Sequence, residues 1–268
     1  ARTNRYGDFL DIACAISARA PYYGLHCSEN RRARLLIDVS GLPQKLVRED
    51  AFFPVLGSMI GRLAGETVCV IDGMPTGASD DQLKALCAGA ASTGGVALIH
   101  ITGVTPEAPD LHTALAGQST EEVIHVTQNM VFEARNSLSL AEPGPIDCVA
   151  LGSPHFSNDE CRTALALANG RKFLVPVYIC LGRHTMTSLE SDGADNALRE
   201  LGVIFVVDTC VVVTPILPAN PGVMMTNSAK FAHYAKGNTG YLSVFGTLSD
   251  CIESALIGHV VWDPGVWG

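Results

Sequence analysis

Short apolar runs rich in β-branched residues alternate with helix-like segments along this chain, and this alternation limits the fold more than any other feature. The runs predict strands at 35–39, 67–71, 95–101, 123–126, 148–151, 175–180 and 203–207. Ser79 and Ser157 precede Gln82 and Glu160 by three residues, which is the spacing of a helix capping box. Strands that alternate with helices form parallel sheets, so the sequence predicts an α/β fold with parallel sheets flanked by helices.

Proline and glycine concentrate near the middle of the chain, at Ala141–Pro145, between two strand–helix series. Such a stretch is typical of a joint between structural units. A chain of 268 residues suits one large or two modest domains. We therefore expect two α/β lobes, at 1–142 and 143–268. The chain begins with Ala1 and not with Met, so we also expect it to be part of a longer protein.

The charge and hydropathy of the chain disfavour several classes of partner. Its net charge of −9 argues against binding to nucleic acid or to an anionic membrane surface. Hydrophobic residues make up 47% of the chain and charged residues 17%, which is typical of a sizeable core and not of global disorder. The longest apolar runs have the length of strands, and no leader segment is evident, so we expect a cytoplasmic protein.

The chain has nine cysteines, an odd number, and no two of them have Cys-x-x-Cys spacing. This pattern predicts a reducing compartment without a disulfide framework, and it disfavours a zinc site. Cys210 follows an apolar run, and Cys251 lies near the predicted start of a helix, where the backbone stabilises a thiolate. Buried structural thiols are the alternative, and a nucleophilic role for Cys210 is a further one.

The segment Met224–Tyr234 carries an unusual density of polar groups. Asn227, Ser228, Lys230 and His233 lie within seven residues, directly after a predicted strand. If the backbone stays extended, Ser228 and Lys230 point to the same side, and the ammonium favours the alkoxide that a serine base needs. The alternative is that Ser228 caps a helix that begins at the next residue.

Two other stretches carry candidate binding groups. The turn Gly152-Ser-Pro-His155 joins a predicted strand to a capped helix, whose first backbone N–H groups favour an anion. His155 is placed there as an acid, a base or a donor, or as a structural histidine. The opening segment Ala1–Gly7 carries two arginines, which suit a carboxylate or a phosphate, or simply form a solvated loop.

The chain has no glycine-rich dinucleotide motif, Walker loop or Gly-x-Ser-x-Gly elbow. Instead, six ordered segments together resemble the aconitase X family, the divergent branch of the aconitase superfamily. They read Ala-Arg-Thr-Asn-Arg-Tyr-Gly-Asp at 1–8, Tyr-Gly-Leu-His at 23–26, His-Ile-Thr-Gly-Val-Thr-Pro-Glu-Ala at 100–108, Gly-Ser-Pro-His-Phe-Ser at 152–157, Asp-Thr-Cys at 208–210 and Asn-Ser-Ala-Lys at 227–230.

The resemblance implies an aconitase-like fold and a hydro-lyase in which an iron–sulfur cluster acts as a Lewis acid. A 2Fe-2S cluster is favoured, and a 4Fe-4S cluster is the other form. Cys210 and Cys251 are the implied cluster ligands, both in the second lobe. The first lobe is then part of a larger catalytic domain. The family also implies an upstream segment with a third ligand, and a small swivelling domain that is fused or forms a separate subunit.

The resemblance also implies roles for the polar residues. Ser228 is the implied base, by analogy with the serine of aconitases, and Lys230 and His155 are the other catalytic candidates. The implied substrate-binding residues are Thr3, Asn4, Arg5, His100 and Ser153.

The substrate expected from the resemblance is cis-3-hydroxy-L-proline, with Δ1-pyrroline-2-carboxylate as the product. The Gly-Ser-Pro-His-Phe-Ser and Arg-Tyr-Gly-Asp forms are similar to the hydroxyproline branch of the family, whereas phosphate-using relatives usually have Cys at the position of Ser153. The alternatives are a mevalonate 5-phosphate dehydratase and a non-catalytic fragment or subunit.

Overall fold

The computed structural model describes residues 4–7 and 9–267. Within these residues, nine strands form two sheets in which all pairs of strands are parallel. The first sheet contains β1 (Leu35–Asp38), β2 (Cys69–Asp72), β3 (Ile99–Ile101) and β4 (Glu122–His125). The second contains β5 (Cys148–Phe156), β6 (Val177–Leu181), β7 (Val203–Val207), β8 (Val223–Thr226) and β9 (Leu242–Phe245). The predicted α/β fold is confirmed.

Helices connect these strands. They are α1 (Leu10–Ser17), α2 (Phe52–Ala64), α3 (Asp80–Thr93), α4 (Leu111–Ala114), α5 (Gln128–Asn136), α6 (Asn158–Ala168), α7 (Arg183–Asp192), α8 (Ala194–Leu201), α9 (Ala229–Thr239) and α10 (Leu248–Ile257). Short 3₁₀ helices occupy Gly24–His26, Ser28–Arg31, Leu46–Arg48 and Pro264–Val266. Both predicted capping boxes are present, at Ser79 before α3 and at Ser157 before α6. None of the described helices is long and apolar enough to cross a membrane.

Each sheet contains a topological switch point, at which the chain stops adding strands on one side of the first strand and starts adding them on the other. The strand orders are β3-β2-β1-β4 and β7-β6-β5-β8-β9, so β4 and β8 return to the far side of the first strand of their sheet. In open parallel sheets, ligands bind beyond the carboxyl ends of the strands at such points. The loops that follow β5 and β8 are therefore expected to carry site residues.

The second sheet is covered on both faces because side chains alternate along its strands. On β6, Val177 and Ile179 pack in one cluster with α6, α7, α8 and α10. Tyr178 and Cys180 pack in another cluster, with α9 on the opposite face. Residues that approach the sheet from opposite sides are therefore separated by the full thickness of the sheet.

One apolar cluster contains residues of both lobes. Ala232 of α9 and Phe245 of β9 lie in the same cluster as Phe52 and Ile60 of α2. Helices α2 and α3 are in backbone contact at Gly57, where a Cβ would lie 2.1 Å from the carbonyl oxygen of Leu86. These contacts fix the first turn of α3 beside the second lobe. The predicted boundary between 142 and 143 stays a prediction.

Two helices differ from what the sequence pattern predicts, which is a helix over Leu46–Ala64 interrupted by Pro54 and a single helix over Ser188–Leu201. Pro54 does not interrupt α2, because it lies in the first turn of that helix, where its missing N–H costs nothing. The helix predicted at Ser188–Leu201 is two helices, divided by Gly193 with a φ of 79°. The strand β7 ends at Val207 as predicted, because Asp208 has a φ of 61°.

Candidate active site

A cleft of about 480 Å³ lies between the lobes, where strands of both sheets end. Ser79 lines it from the loop after β2, Glu160 from the helix after β5, Asn227 from the loop after β8, and Thr247 from the loop after β9. Carboxyl-end loops are where α/β sheets bind ligands, and this volume suits a small molecule. The cleft is therefore the candidate active site.

Carboxylates dominate the charge of this cleft. Its lining includes Glu49, Asp50, Asp81, Asp159 and Glu160. No lysine or arginine is among the lining residues, all of which belong to the described part of the chain. Carboxylates without lining cations attract a positive group and repel a phosphate. The cleft therefore favours a ligand that carries a cation.

A narrower recess opens beside the cleft and shares Glu160 and Asn227 with it. Ser153, in the irregular second half of β5, and Ser228, after β8, form its wall. These two residues lie at the switch point of the second sheet, where β5 and β8 are neighbours. The structure thus brings together two residues that the sequence predicted for catalysis and substrate binding.

The hydroxyl of Ser228 makes two hydrogen bonds. Its Oγ accepts from the backbone N–H of Phe231 at 3.1 Å, which makes Ser228 the N-cap of α9. The same hydroxyl donates to the backbone carbonyl of Ser153. Its proton and a lone pair are both engaged, so the contacts favour the capping alternative. The role of Ser228 as a base stays a prediction.

Lys230 does not stand beside Ser228 in the predicted way. Helix α9 begins at Ala229, so the extended backbone that would align the two side chains is not present. Residues two apart do not face each other on a helix. Lys230 is half-buried, and no hydrogen bond or ion pair joins its side chain to another described residue. Its catalytic role also stays a prediction.

Lys84 of α3 supplies the cation of the recess. Its Nζ donates to Asp81 at 2.6 Å, to Glu160 at 2.7 Å and to the backbone carbonyl of His155 at 3.0 Å. The hydroxyl of Ser157 donates to the second oxygen of Asp81 at 2.7 Å. This network joins the first turns of α3 and α6, and therefore the two lobes, at the wall of the site.

The two carboxyl groups of this network have pKa values that move in opposite directions. Burial raises the pKa of Glu160. Burial also opposes ionisation of Asp81, but hydrogen bonds from Lys84 and Ser157 outweigh it and lower its pKa. For Lys84, burial is outweighed by its bonds to both carboxylates, which raise its pKa. A carboxyl pair divided in this way is typical of acid–base sites.

His155 lies at the rim and not among the lining residues. It is exposed, and its Nε2 is 3.1 Å from the backbone oxygen of Thr209. Beside it, Asp208 accepts from the backbone and from the side chain of Arg183, and these bonds lower the pKa of Asp208. His155 contributes its carbonyl to the Lys84 network, while its imidazole contacts the backbone of Thr209.

His100 is buried within the first lobe, where its Nε2 is 2.7 Å from the backbone oxygen of Arg31. The side chain of Arg31 in turn donates to both carboxylate oxygens of Glu107, at 2.7 and 2.5 Å. These contacts tie a loop to the sheet. The structure does not place His100 in the cleft, so they favour a structural role over the predicted binding role.

The opening segment also lies away from the cleft. Arg5 donates to the carbonyl of Gly94 at 3.3 Å, at the end of α3 that is remote from Lys84. Ten helical residues separate these ends by about 15 Å. Asn4 accepts from the backbone N–H of Leu25 at 3.3 Å. The third predicted residue of this group, Thr3, lies outside the described residues.

The structure separates the two predicted cluster ligands. Cys251 is the fourth residue of α10, whose cap is Thr247, and burial raises the pKa of this fully buried thiol well above its ordinary range. It packs with Ile179 on one face of the second sheet, whereas Cys210 packs with Cys180 on the other. Two thiols on opposite faces do not fit one cluster. Among the described residues, no group of three His, Cys, Asp or Glu side chains could hold a metal ion.

Sequence reasoning missed the residues that make up most of the cleft charge. Glu160 was recognised only as a helix cap, and Asp81 and Lys84 gave no signal beyond a helical (i, i+3) pair. Their importance arises from the approach of α3 to α6 across the two lobes. The sequence offers one signal for this group: two carboxylates and a lysine lie near the starts of two helices that follow parallel strands.

Comparison with known proteins gives consistent results along the chain. The model of the aconitase X second domain matches residues 33–136, and that of the aconitase X third domain matches residues 146–257. The crystal structure of aconitase X from Thermococcus kodakaraensis, in its holo-form, superposes with a TM-score of 0.83 at 28% sequence identity. That match covers 95% of this chain and 63% of the solved chain.

Curated relatives carry two names. The chain is 40% identical over 264 residues to the cis-3-hydroxy-L-proline dehydratase of Pseudomonas aeruginosa, covering 97% of this chain and 45% of that protein. The enzyme of the same name from Hypocrea jecorina is 38% identical, with coverages of 97% and 44%. The phosphomevalonate dehydratase large subunit of Methanothermobacter thermautotrophicus is 37% identical, with coverages of 91% and 59%. The chain spans about half the length of these relatives.

Proposed function

Because the chain belongs to the aconitase X family, we propose that it forms the catalytic part of a dehydratase that converts cis-3-hydroxy-L-proline into Δ1-pyrroline-2-carboxylate. Two relatives with 38–40% identity carry the name of this dehydratase. We also propose a cytoplasmic location, a small-molecule substrate, and a requirement for a swivelling domain that is fused or a separate subunit.

The charge of the cleft is the observation that carries this choice of substrate. Hydroxyproline presents a secondary ammonium, which carboxylates such as Asp50 and Asp159 attract. Mevalonate 5-phosphate presents a phosphate, which these groups repel and for which a cleft would need lysine or arginine. The only cation of the adjoining recess, within the described residues, is Lys84, and three acceptors already engage it.

The chemistry needs a base for the α-proton, donors for the substrate carboxylate and an exit for hydroxide. Asn227 lines both the cleft and the recess, so its side-chain amide is placed to donate to the carboxylate. Such donors stabilise the charge that develops when the α-proton leaves. The acidic lining pairs with the ring ammonium and orients the ring.

The iron–sulfur cluster stays a proposal of its own. Cys210 and Cys251 do not fit as its joint ligands, because the second sheet lies between them. The ligand role of each thiol can be tested separately by iron analysis of the Cys210→Ala and Cys251→Ala variants.

The phosphate substrate is the second candidate, since a relative at 37% identity is a phosphomevalonate dehydratase large subunit. The full-length gene product should be incubated with cis-3-hydroxy-L-proline and, separately, with mevalonate 5-phosphate. We expect turnover of hydroxyproline only, detected as pyrroline carboxylate by its reaction with o-aminobenzaldehyde. Turnover confined to the phosphate would refute the proposal, and turnover of neither would favour a non-catalytic fragment.

A further inference from the structure

Glu160 has contacts that its role as a helix cap does not require. In its capping box, Oε2 accepts from the backbone N–H of Ser157 at 2.9 Å. The same oxygen accepts from Lys84, on the other lobe, at 2.7 Å. Both donors bond to Oε2, so neither of them occupies Oε1. Asp81 also interacts with this carboxyl group through a side-chain hydrogen bond. Oε1 is therefore the oxygen of Glu160 that neither Ser157 nor Lys84 engages.

The surroundings of Glu160 combine a cleft with partial burial. Its side chain is 23% exposed and borders both the cleft and the recess that contains Ser153 and Ser228. Asp81 and Lys84 lie beside it, and Glu49, Asp50 and Asp159 carry the other charges of the cleft lining. Burial raises its pKa, which makes its carboxylate a stronger base than an exposed one.

We propose that Glu160 is the catalytic base that removes the α-proton, and that Lys84 is the residue that positions it. This inference rests on the proposed dehydration. It assigns to Glu160 the role of base that the resemblance to aconitase X implied for Ser228. The hydroxyl of Ser228 is engaged by Phe231 and Ser153. Lys84 acts through Glu160 and does not itself touch the substrate.

The step balances without an oxidant or a reductant. The Cα–H bond breaks, Glu160 Oε1 takes the proton, and the electron pair forms the C2=C3 double bond as the C3–O bond breaks. The hydroxide leaves with the C3–O electron pair and takes a proton from solvent to become water, and Glu160 later returns its own proton to solvent. The C2=C3 enamine then tautomerises to Δ1-pyrroline-2-carboxylate. In the cis isomer the α-hydrogen and the hydroxyl are on opposite ring faces, so the base and the leaving group do not compete for one space.

The first test uses Glu160→Gln in the full-length protein. Glutamine also serves at the third position of a capping box, as Gln82 does in α3, so this variant keeps the fold while it removes the base. We expect kcat to fall on the order of a hundredfold or more, together with the exchange of the substrate α-proton in D₂O. The acidic limb of the pH profile of kcat/KM should disappear.

Two variants serve as comparisons. Glu253→Gln is the matched control, because it removes a partly exposed helical carboxylate that pairs with Arg171 outside the cleft. It should leave kcat and its pH profile unchanged. Glu160→Asp keeps the charge but shortens the side chain, and it should also lose exchange. Lys84→Met should shift the acidic limb, because Glu160 loses its cation, and Lys84→Arg should restore that limb in part.

A binding measurement separates this inference from the proposed function. L-proline has the same ammonium and carboxylate but no leaving hydroxyl. In protein labelled with ¹³C-glutamate, L-proline should shift the carboxyl signal that Glu160→Gln removes. A signal that L-proline does not move, or α-proton exchange at the wild-type rate in Glu160→Gln, would overturn the assignment. Shifted signals without any turnover of hydroxyproline would instead overturn the proposed dehydration and retain Glu160 as a ligand contact.

Discussion

Replacement of Ser228 by alanine separates the two roles that the sequence leaves open for this residue. The hydroxyl accepts from Phe231 as the cap of α9 and donates to the carbonyl of Ser153. Loss of a cap costs about 1 kcal/mol. A buried carbonyl left without its donor costs about 1–3 kcal/mol. We therefore expect Ser228→Ala to lower the free energy of unfolding by about 2–4 kcal/mol in all.

The assay combines urea denaturation with α-proton exchange on the same preparation. Thr127→Ala is the matched control, because Thr127 caps α5 through one bond to Met130 and is outside the cleft lining. It should cost about 1 kcal/mol. In Ser228→Ala, exchange of the substrate α-proton should continue, since the proposed base is Glu160.

The opposite result would refute this reasoning. If Ser228 is the base, its loss lowers kcat on the order of a hundredfold or more and stops the exchange. A Ser228→Ala protein as stable as the wild type, without exchange, would show that the hydroxyl serves chemistry and not the cap.

Three further predictions concern packing, metal and pH. Gly57→Ala should lower Tm by several degrees, because its Cβ would lie 2.1 Å from the Leu86 carbonyl oxygen; overpacking of this kind costs about 1–3 kcal/mol. Gly237→Ala is the control, because an added Cβ at this helical position has no atom within 4 Å, and it should raise Tm. An equal fall of Tm in the two variants would contradict the close contact between α2 and α3. Cys251→Ala should keep its iron content but unfold at lower urea, since the thiol is fully buried in the core; iron loss at unchanged stability would restore its ligand role. The pKa of Asp81 is lowered in the fold, so its stabilising contribution is present above its unfolded pKa of about 3.9 and is lost as pH falls through the folded pKa. Asp81→Asn should therefore flatten the fall of unfolding free energy below about pH 4, and an unchanged slope in urea titrations would contradict this account.

The sequence by itself determined the parallel α/β architecture and the local starts of helices. Alternating strand and helix patterns predicted both sheets, and the capping boxes at Ser79 and Ser157 formed as predicted. These features are local, because a strand period and a cap depend on residues only a few positions apart. Ser153 and Ser228 also came together, since Ser153 lies in the second half of β5, Ser228 follows β8, and these two strands are neighbours in the sheet.

The roles of individual side chains depended on contacts that local pattern does not encode. Cys251 occupies a place near a helix start that would suit a thiolate, but the core around it is apolar and raises its pKa. His100 lies in the predicted strand β3, yet its imidazole turns inward to the carbonyl of Arg31. Whether a residue at the end of an element faces the core or the cleft is decided by the elements packed against it.

Only the tertiary structure placed Lys84 against Glu160, although 76 positions separate them in the chain. The glycine contact between α2 and α3, together with the packing of α9 on both, sets the distance between the lobes. That distance brings the starts of α3 and α6 together, where the pKa of Asp81 is lowered and the pKa of Glu160 is raised. Electrostatic coupling depends on separation in space and on burial, and a linear sequence specifies neither until the chain has folded.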